Sequence, residues 1–161
     1  ILYNVPGRTS CNMEPDTVIK LAKKYKNIIG IKEAKGDLDQ MNNLIKNKPP
    51  NFLIISGDDD TAAQSILNGA DGVISVAAGS IPKLFIKTIN YALKKEERNT
   101  NILLDLIKPY LKLLFDEGNP SGTKAALSVL NICKNKLRLP LIPVSDSLYS
   151  KIEKFISENP E

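Results

Sequence analysis

Four short apolar segments, each followed by a helix-like stretch, restrict this chain to very few folds. Residues 1–5, 28–33, 52–56 and 72–76 read as strands, and residues 14–25, 38–46, 61–67 and 81–93 as the helices between and after them. The run Ile28-Ile29-Gly30-Ile31 shows no polar alternation, which suits a parallel strand covered on both faces. Pro6-Gly7 breaks the first strand. Asn12 or Met13 precedes the first helix, Pro15 sits early in it, where proline is tolerated, and Gly69 is a plausible stop for the third. Alternating βα units imply a parallel sheet with right-handed crossovers.

After residue 95 the pattern turns to helices alone, over 99–115, 121–130 and 146–157. Pro109 is expected to kink the first of them, and Leu139-Pro140-Leu141-Ile142-Pro143 to form an extended linker. The expected division is a βα region over 1–95 and a helical region over 96–161. Two α/β architectures fit: an open doubly wound sheet, or part of a (β/α)8 barrel, which when whole needs about 250 residues. No Gly-rich dinucleotide or phosphate loop follows any strand, which weakens the first. A barrel reading makes these four units its second half. The chain begins at Ile1, inside a strand and without methionine, so upstream sequence is expected.

What the chain lacks narrows its chemistry. It contains no histidine, so serine or cysteine nucleophiles activated by histidine and histidine-based zinc sites are excluded. Acid–base work falls to Lys, Tyr, Asp, Glu or water. Cys11 and Cys133 form no spaced motif and read as packing residues in a reducing cytoplasm. The net charge is +4, but the lysines are scattered and little interleaved with aromatics, so no nucleic-acid partner is expected. No apolar run reaches the roughly 20 residues a membrane span needs, so no membrane partner is expected either.

In both architectures sites gather at the C-terminal ends of parallel strands. Those ends offer Tyr3 with Arg8 beyond it, Lys32 and Glu33, Gly57 with Asp58-Asp59-Asp60, and Ile74 with Ser75. A lysine at the tip of a buried strand loses hydration. Desolvation lowers an amine's pKa from its reference of about 10.4, and a neutral amine attacks carbonyls. Lys32 is thus a candidate Schiff-base nucleophile; the alternative is a lysine that snorkels to solvent. Strand parity sends Lys32, Gly30 and Ile28 inward and packs Ile29 and Ile31 against helices, with Gly30 leaving room for the lysine. Tyr3 can exchange protons there, or be a buried aromatic with a satisfied hydroxyl. Arg8 can fork onto a carboxylate, or be a solvated loop arginine. Of the three aspartates one is expected to cap the next helix and the others to favour its positive end, in preference to binding a metal. Lys35-Gly36-Asp37 reads as turn and cap.

Tyr3-Asn4-Val5-Pro6-Gly7-Arg8-Thr9, Ile29-Gly30-Ile31-Lys32-Glu33-Ala34, Ser56-Gly57-Asp58-Asp59 and Gly72-Val73-Ile74-Ser75-Val76, with Leu137-Arg138-Leu139-Pro140 in the tail, together resemble the dihydrodipicolinate synthase family. That family belongs to the pyruvate-dependent class I aldolases, with N-acetylneuraminate lyase. The resemblance covers essentially the whole chain and only the second half of the family's length. It implies the second half of a TIM barrel followed by a C-terminal helical region. It implies that Lys32 forms an imine with pyruvate, that Tyr3 relays protons, and that Arg8 holds the carboxylate of aspartate-4-semialdehyde. The backbones of Gly57 and Ile74 line the pyruvate site. No metal or organic cofactor takes part, and the product feeds lysine biosynthesis in the cytoplasm. The family is typically a homotetramer.

Features of the family's first half are missing here: a Gly-Thr-Thr-Gly-Glu motif, a second tyrosine that crosses the dimer interface, and the pocket for feedback by lysine. The chain alone is therefore expected to hold the nucleophile but be inactive until joined by that half. Two other readings stay open: another pyruvate-dependent aldolase, which Arg8 disfavours, and a non-catalytic half-barrel that serves as an assembly module.

Overall fold

A computed structural model describes residues 1–160. Four parallel strands form one sheet in sequence order: β1 (Leu2–Asn4), β2 (Gly30–Glu33), β3 (Leu53–Ser56) and β4 (Gly72–Val73). Between them run α1 (Pro6–Thr9), α2 (Pro15–Lys24), α3 (Leu38–Asn47) and α4 (Asp59–Asn68). A 3₁₀ turn at Ala77–Gly79 leads to α5 (Pro82–Leu93), followed by α6 (Glu97–Phe115), α7 (Ser121–Val129) and α8 (Asp146–Glu158). No described helix is long and apolar enough to cross a membrane.

Two compact units emerge. The first comprises Ile1–Ser75 and Ile89–Thr100. In it, side chains of one sheet face, Asn4, Ile31, Glu33, Ile54 and Ser56, are buried. The opposite face carries Tyr3, Lys32, Leu53 and Ile55, and stays exposed or half-exposed. Period-2 alternation in strands produces this division. α2, α3 and α4 pack side by side, burying Val18, Met41, Leu44, Ala62 and Ile66. Gly69, with φ of +118°, ends α4 in the left-handed conformation that glycine adopts freely. Lys95 then donates to the last carbonyls of that helix, Ile66 O at 2.6 Å and Leu67 O at 2.8 Å.

The second unit comprises Val76–Thr88 and residues from Asn101 onward. Its core is Tyr110, which stacks on Phe155 with ring centroids 4.5 Å apart and donates to Ser80 Oγ at 2.7 Å. Ser145 caps α8, and it donates to the Glu117 carboxylate through its backbone N–H at 2.7 Å and its hydroxyl at 2.5 Å. These bonds hold the Glu117 carboxyl below the usual carboxylate range. α6 includes Pro109 within its span.

Several elements depart from expectation. Pro6-Gly7 does not merely break a strand: Pro6 opens the four-residue α1, because a fixed φ and a missing N–H cost nothing in a first turn. α2 begins at Pro15 with Glu14 as its N-cap, directly after the Asn12-Met13 pair expected near its start. β2 starts at Gly30, and Ile29 is 52 % exposed instead of packing on helices. β4 is two residues long. Cys11 is exposed, so it is not a packing residue.

Lys35, Gly36 and Asp37 form turn and cap as expected. Asp37 accepts from the N–H groups of Asp39 and Gln40 at 3.0 Å and pairs with Lys35 Nζ at 2.8 Å. The lysine contact comes first, and the Gln40 N–H next, in holding the Asp37 carboxyl below its ordinary value. The same contact raises the Lys35 amine. A depressed carboxyl contributes stability above its unfolded pKa of about 3.9 and loses it as pH falls through the folded value. A raised amine contributes below about 10.4 and loses that as pH rises. Asp37→Asn keeps a capping oxygen but drops the charge. It is therefore expected to lower the melting temperature slightly at pH 7, with the gap to wild type closing below about pH 4 and again above about pH 10.4. Thermal melts across pH measure this.

Candidate active site

The register of β1 and β2 sets Tyr3 beside Lys32 and Asn4 beside Glu33. Alternation then sends the first pair to the open face and the second pair behind the sheet. On the open face Lys32 is half-buried, and its Nζ stands 4.4 Å from the centroid of the Tyr3 ring. That lies inside the roughly 6 Å range over which a ring face attracts a cation. Tyr3 is 51 % exposed, so it is not the buried aromatic of the alternative reading. Its ring forms one wall beside the amine.

Gly57 forms another. A Cβ there would fall 2.8 Å from Lys32 Cε, 3.1 Å from Lys32 Cγ and 2.7 Å from Ala34 Cβ. Two of these distances are shorter than real Cβ contacts, so a side chain at this position would push the lysine out of its present path. The space for Lys32 comes from Gly57 and not, as strand parity suggests, from Gly30. A Cβ at Gly30 would instead strike Leu53, its register partner on β3, at 2.9 Å from both Cβ and the carbonyl oxygen. Gly30 lets two strands approach; Gly57 makes room for the amine.

The Gly57 N–H donates to Glu33 O at 2.7 Å and the Ile74 N–H to Ser56 O at 2.9 Å. Both bonds extend the sheet ladder past the strand ends. The two backbones can therefore meet a ligand through carbonyl oxygens and not through N–H groups. Ile74 is exposed, just beyond the short β4. Arg8 is exposed in the last turn of α1, which continues β1 at this end of the sheet. The Lys32 side chain thus lies against the Tyr3 ring on one side and beside Gly57 on another. Arg8 and Ile74 lie past the C-terminal ends of β1 and β4, at the same end of the sheet.

Asp58 is a cap, as expected. Its carboxylate accepts from Thr61 N–H at 3.0 Å and Thr61 Oγ1 at 2.8 Å. Asp59 and Asp60 lie in the first turn of α4, at its positive end. Among the described residues no cluster of acidic or cysteine side chains is arranged to hold a metal.

The sequence marks Glu33 only as a strand-end residue without a role, and gives Asn4 none. Both are nearly sealed, at 1 % and 2 % exposure, and Asn4 Nδ2 donates to the Glu33 carboxylate oxygens at 3.0 and 2.9 Å. A signal for them existed: two polar residues at the parity opposite Tyr3 and Lys32, where only apolar side chains are expected without partners.

The model of the dihydrodipicolinate synthetase family matches residues 1–159. The chain belongs to that family. It is 46 % identical to a 4-hydroxy-tetrahydrodipicolinate synthase of Azobacteroides pseudotrichonymphae, over 96 % of this chain and 52 % of that protein. It is 44 % identical to the enzyme of the same name from Phocaeicola vulgatus, over 98 % and 53 %. A dihydrodipicolinate synthase of Acinetobacter baumannii, solved with pyruvate, superposes with a TM-score of 0.92 at 36 % identity, over 98 % of this chain and 54 % of that one. The chain spans about half the length of the family members it matches. Its four parallel strands and their helices are those of a dihydrodipicolinate synthetase α/β fold.

Proposed function

We propose that this chain is the part of a 4-hydroxy-tetrahydrodipicolinate synthase that supplies the imine-forming lysine. The observation that carries the reading is the Lys32 amine held over the Tyr3 ring, in space that Gly57 leaves open. Family membership and the pyruvate bound to the Acinetobacter baumannii relative support it.

The Lys32 amine adds to the ketone carbon of pyruvate, and loss of water gives an imine. A proton leaves the methyl group, and the resulting enamine carbon attacks the aldehyde of aspartate-4-semialdehyde, whose oxygen takes up a proton. The semialdehyde's amine then closes the ring on the imine carbon and expels Lys32 as the free amine. The product is 4-hydroxy-tetrahydrodipicolinate, the precursor for lysine and diaminopimelate synthesis. Tyr3 carries protons to and from these centres, and Arg8 binds the semialdehyde carboxylate as a bidentate pair. The carbonyls of Gly57 and Ile74 border the pyruvate. The covalent imine replaces any cofactor or metal.

In this reading residues 1–95 are a (β/α)4 half-barrel, and 96–161 a helical region. The complementary strands come from the family's N-terminal half or from self-association, within a cytoplasmic homotetramer. Exposed Tyr3 and Leu53 on the open sheet face fit such closure. They equally fit a non-catalytic assembly module, which a sedimentation mass of one chain with a sharp unfolding transition contradicts.

The test joins this chain to the N-terminal half of the Phocaeicola vulgatus relative. Expected is consumption of pyruvate with aspartate-4-semialdehyde, absent from the 161-residue chain alone. Consumption of pyruvate only with a sugar aldehyde would assign another aldolase reaction.

A further inference from the structure

A second set of side chains sits directly behind Tyr3 and Lys32. The Glu33 carboxylate receives Asn4 Nδ2 on both oxygens, Gln40 Nε2 at 2.9 Å and the Lys35 backbone N–H at 2.8 Å. Asn4 in turn accepts from the Met13 N–H at 2.9 Å and donates to Asn12 Oδ1 at 2.9 Å. Asn12 also donates to Gln40 Oε1 at 2.9 Å. One ring of polar groups, buried at Glu33, Asn4 and Gln40 and half-buried at Asn12, thus ties β1, β2, the segment before α2 and the first turn of α3 together.

Burying a carboxylate is costly unless its lone pairs are filled. Here they are filled by amide donors, and a carboxylate is the side chain that only accepts. Glutamine at this position would turn an N–H₂ toward those donors. The set is also placed where it bears on the site. Asn4 and Glu33 are register partners, one residue beyond the register partners Tyr3 and Lys32. On the open face no hydrogen bond is needed to hold Tyr3 against Lys32 if the strands cannot shift behind them.

Resting on the reading of Lys32 as the imine-forming amine, we propose that Glu33 and Asn4 are positioning residues, whose buried bond locks β1 to β2 and thereby holds the Tyr3 ring against the Lys32 amine. Neither touches substrate. They act through the backbone they share with the reacting pair.

The test uses the 161-residue chain with its lysines reductively methylated with ¹³C, the Lys32 signal being assigned by its loss in Lys32→Arg. Ring current from Tyr3 is expected to displace the Lys32 methyl signals upfield. Tyr3→Leu removes the displacement and Tyr3→Phe retains it. Glu33→Gln and Asn4→Ala are expected to lose most of it while circular dichroism shows both folded at the measuring temperature. If one of them does not fold, the other decides. A folded Glu33→Gln or Asn4→Ala chain with the full wild-type displacement overturns the proposal. This readout needs no pyruvate, so it stands apart from the imine itself. Where wild type traps pyruvate under borohydride, the same variants are expected to trap it about tenfold more slowly or worse; trapping at the wild-type rate also overturns the proposal. Absence of trapping in wild type, even when joined to a family N-terminal half, counts against the imine reading instead.

Discussion

Gly57→Val is expected to silence Lys32 while leaving the chain folded. The new Cβ meets Ala34 Cβ and Lys32 Cε at under 3 Å, at 2.7 and 2.8 Å. Ala34 is fixed by its neighbour's place in β2, and its own N–H is bonded to Asn4 O at 2.8 Å. The flexible lysine yields and swings off the Tyr3 ring, while the backbone at residue 57 must back away from Ala34 Cβ. Overpacking of this kind costs about 1–3 kcal/mol, a loss that a domain with a normal margin survives. Displacing a reacting atom by about 1 Å costs about a hundredfold in rate. Borohydride trapping of pyruvate should thus slow by about two orders of magnitude, with a melting temperature only modestly lowered. Wild-type trapping in Gly57→Val would show that Lys32 does not need the space beside it. Gly30→Ala makes a useful contrast, because it clashes with Leu53 on β3. It should cost stability before it costs trapping.

Gly122→Ala is expected to produce the largest loss of stability from a single methyl group. Gly122 lies in the first turn of α7, and a Cβ there would overlap the Leu114 carbonyl near the end of α6. All three nearest atoms belong to the Leu114 backbone. No side chain can turn aside, so one helix must move against the other. Buried Ala125 and Ala126, further along α7, and Leu114 itself would lose their packing together. A cost of about 3 kcal/mol, at the upper end for overpacking, is expected. Chemical denaturation measures it as a lower midpoint at unchanged slope. A midpoint within error of wild type would mean that the two helices do not approach as closely as described.

Much of this could be read from the chain because local signals agreed with the tertiary arrangement. Pro15, Asp37, Asp58 and Gly69 marked helix ends by their own chemistry, and the strands fell where β-branched runs did. Lys32 and Tyr3 stood out because strand ends in a parallel sheet converge. Two of the misreadings, at Gly30 and Glu33, depend on contacts between segments distant in sequence; those at Ile29 and Pro6-Gly7 are local. Ile29 was expected to pack because it is apolar, but β2 begins one residue later. Gly30 was assigned the wrong neighbour because its crowding comes from Leu53, across the sheet. Pro6-Gly7 opens a turn of helix as readily as it ends a strand. Glu33 was hidden beside a more conspicuous lysine, since its partners Asn4 and Gln40 come from other elements.

The proposed function depends on one covalent bond, the imine at Lys32. Incubating the chain with pyruvate, reducing with borohydride and mapping the digest by mass spectrometry tests it most directly, both for the chain alone and for the chain joined to a family N-terminal half. The mass of one reduced pyruvate should fall on the peptide that carries Lys32, and Lys32→Arg should abolish it. A label on a different lysine, or none at Lys32 even in the joined protein, would contradict the account.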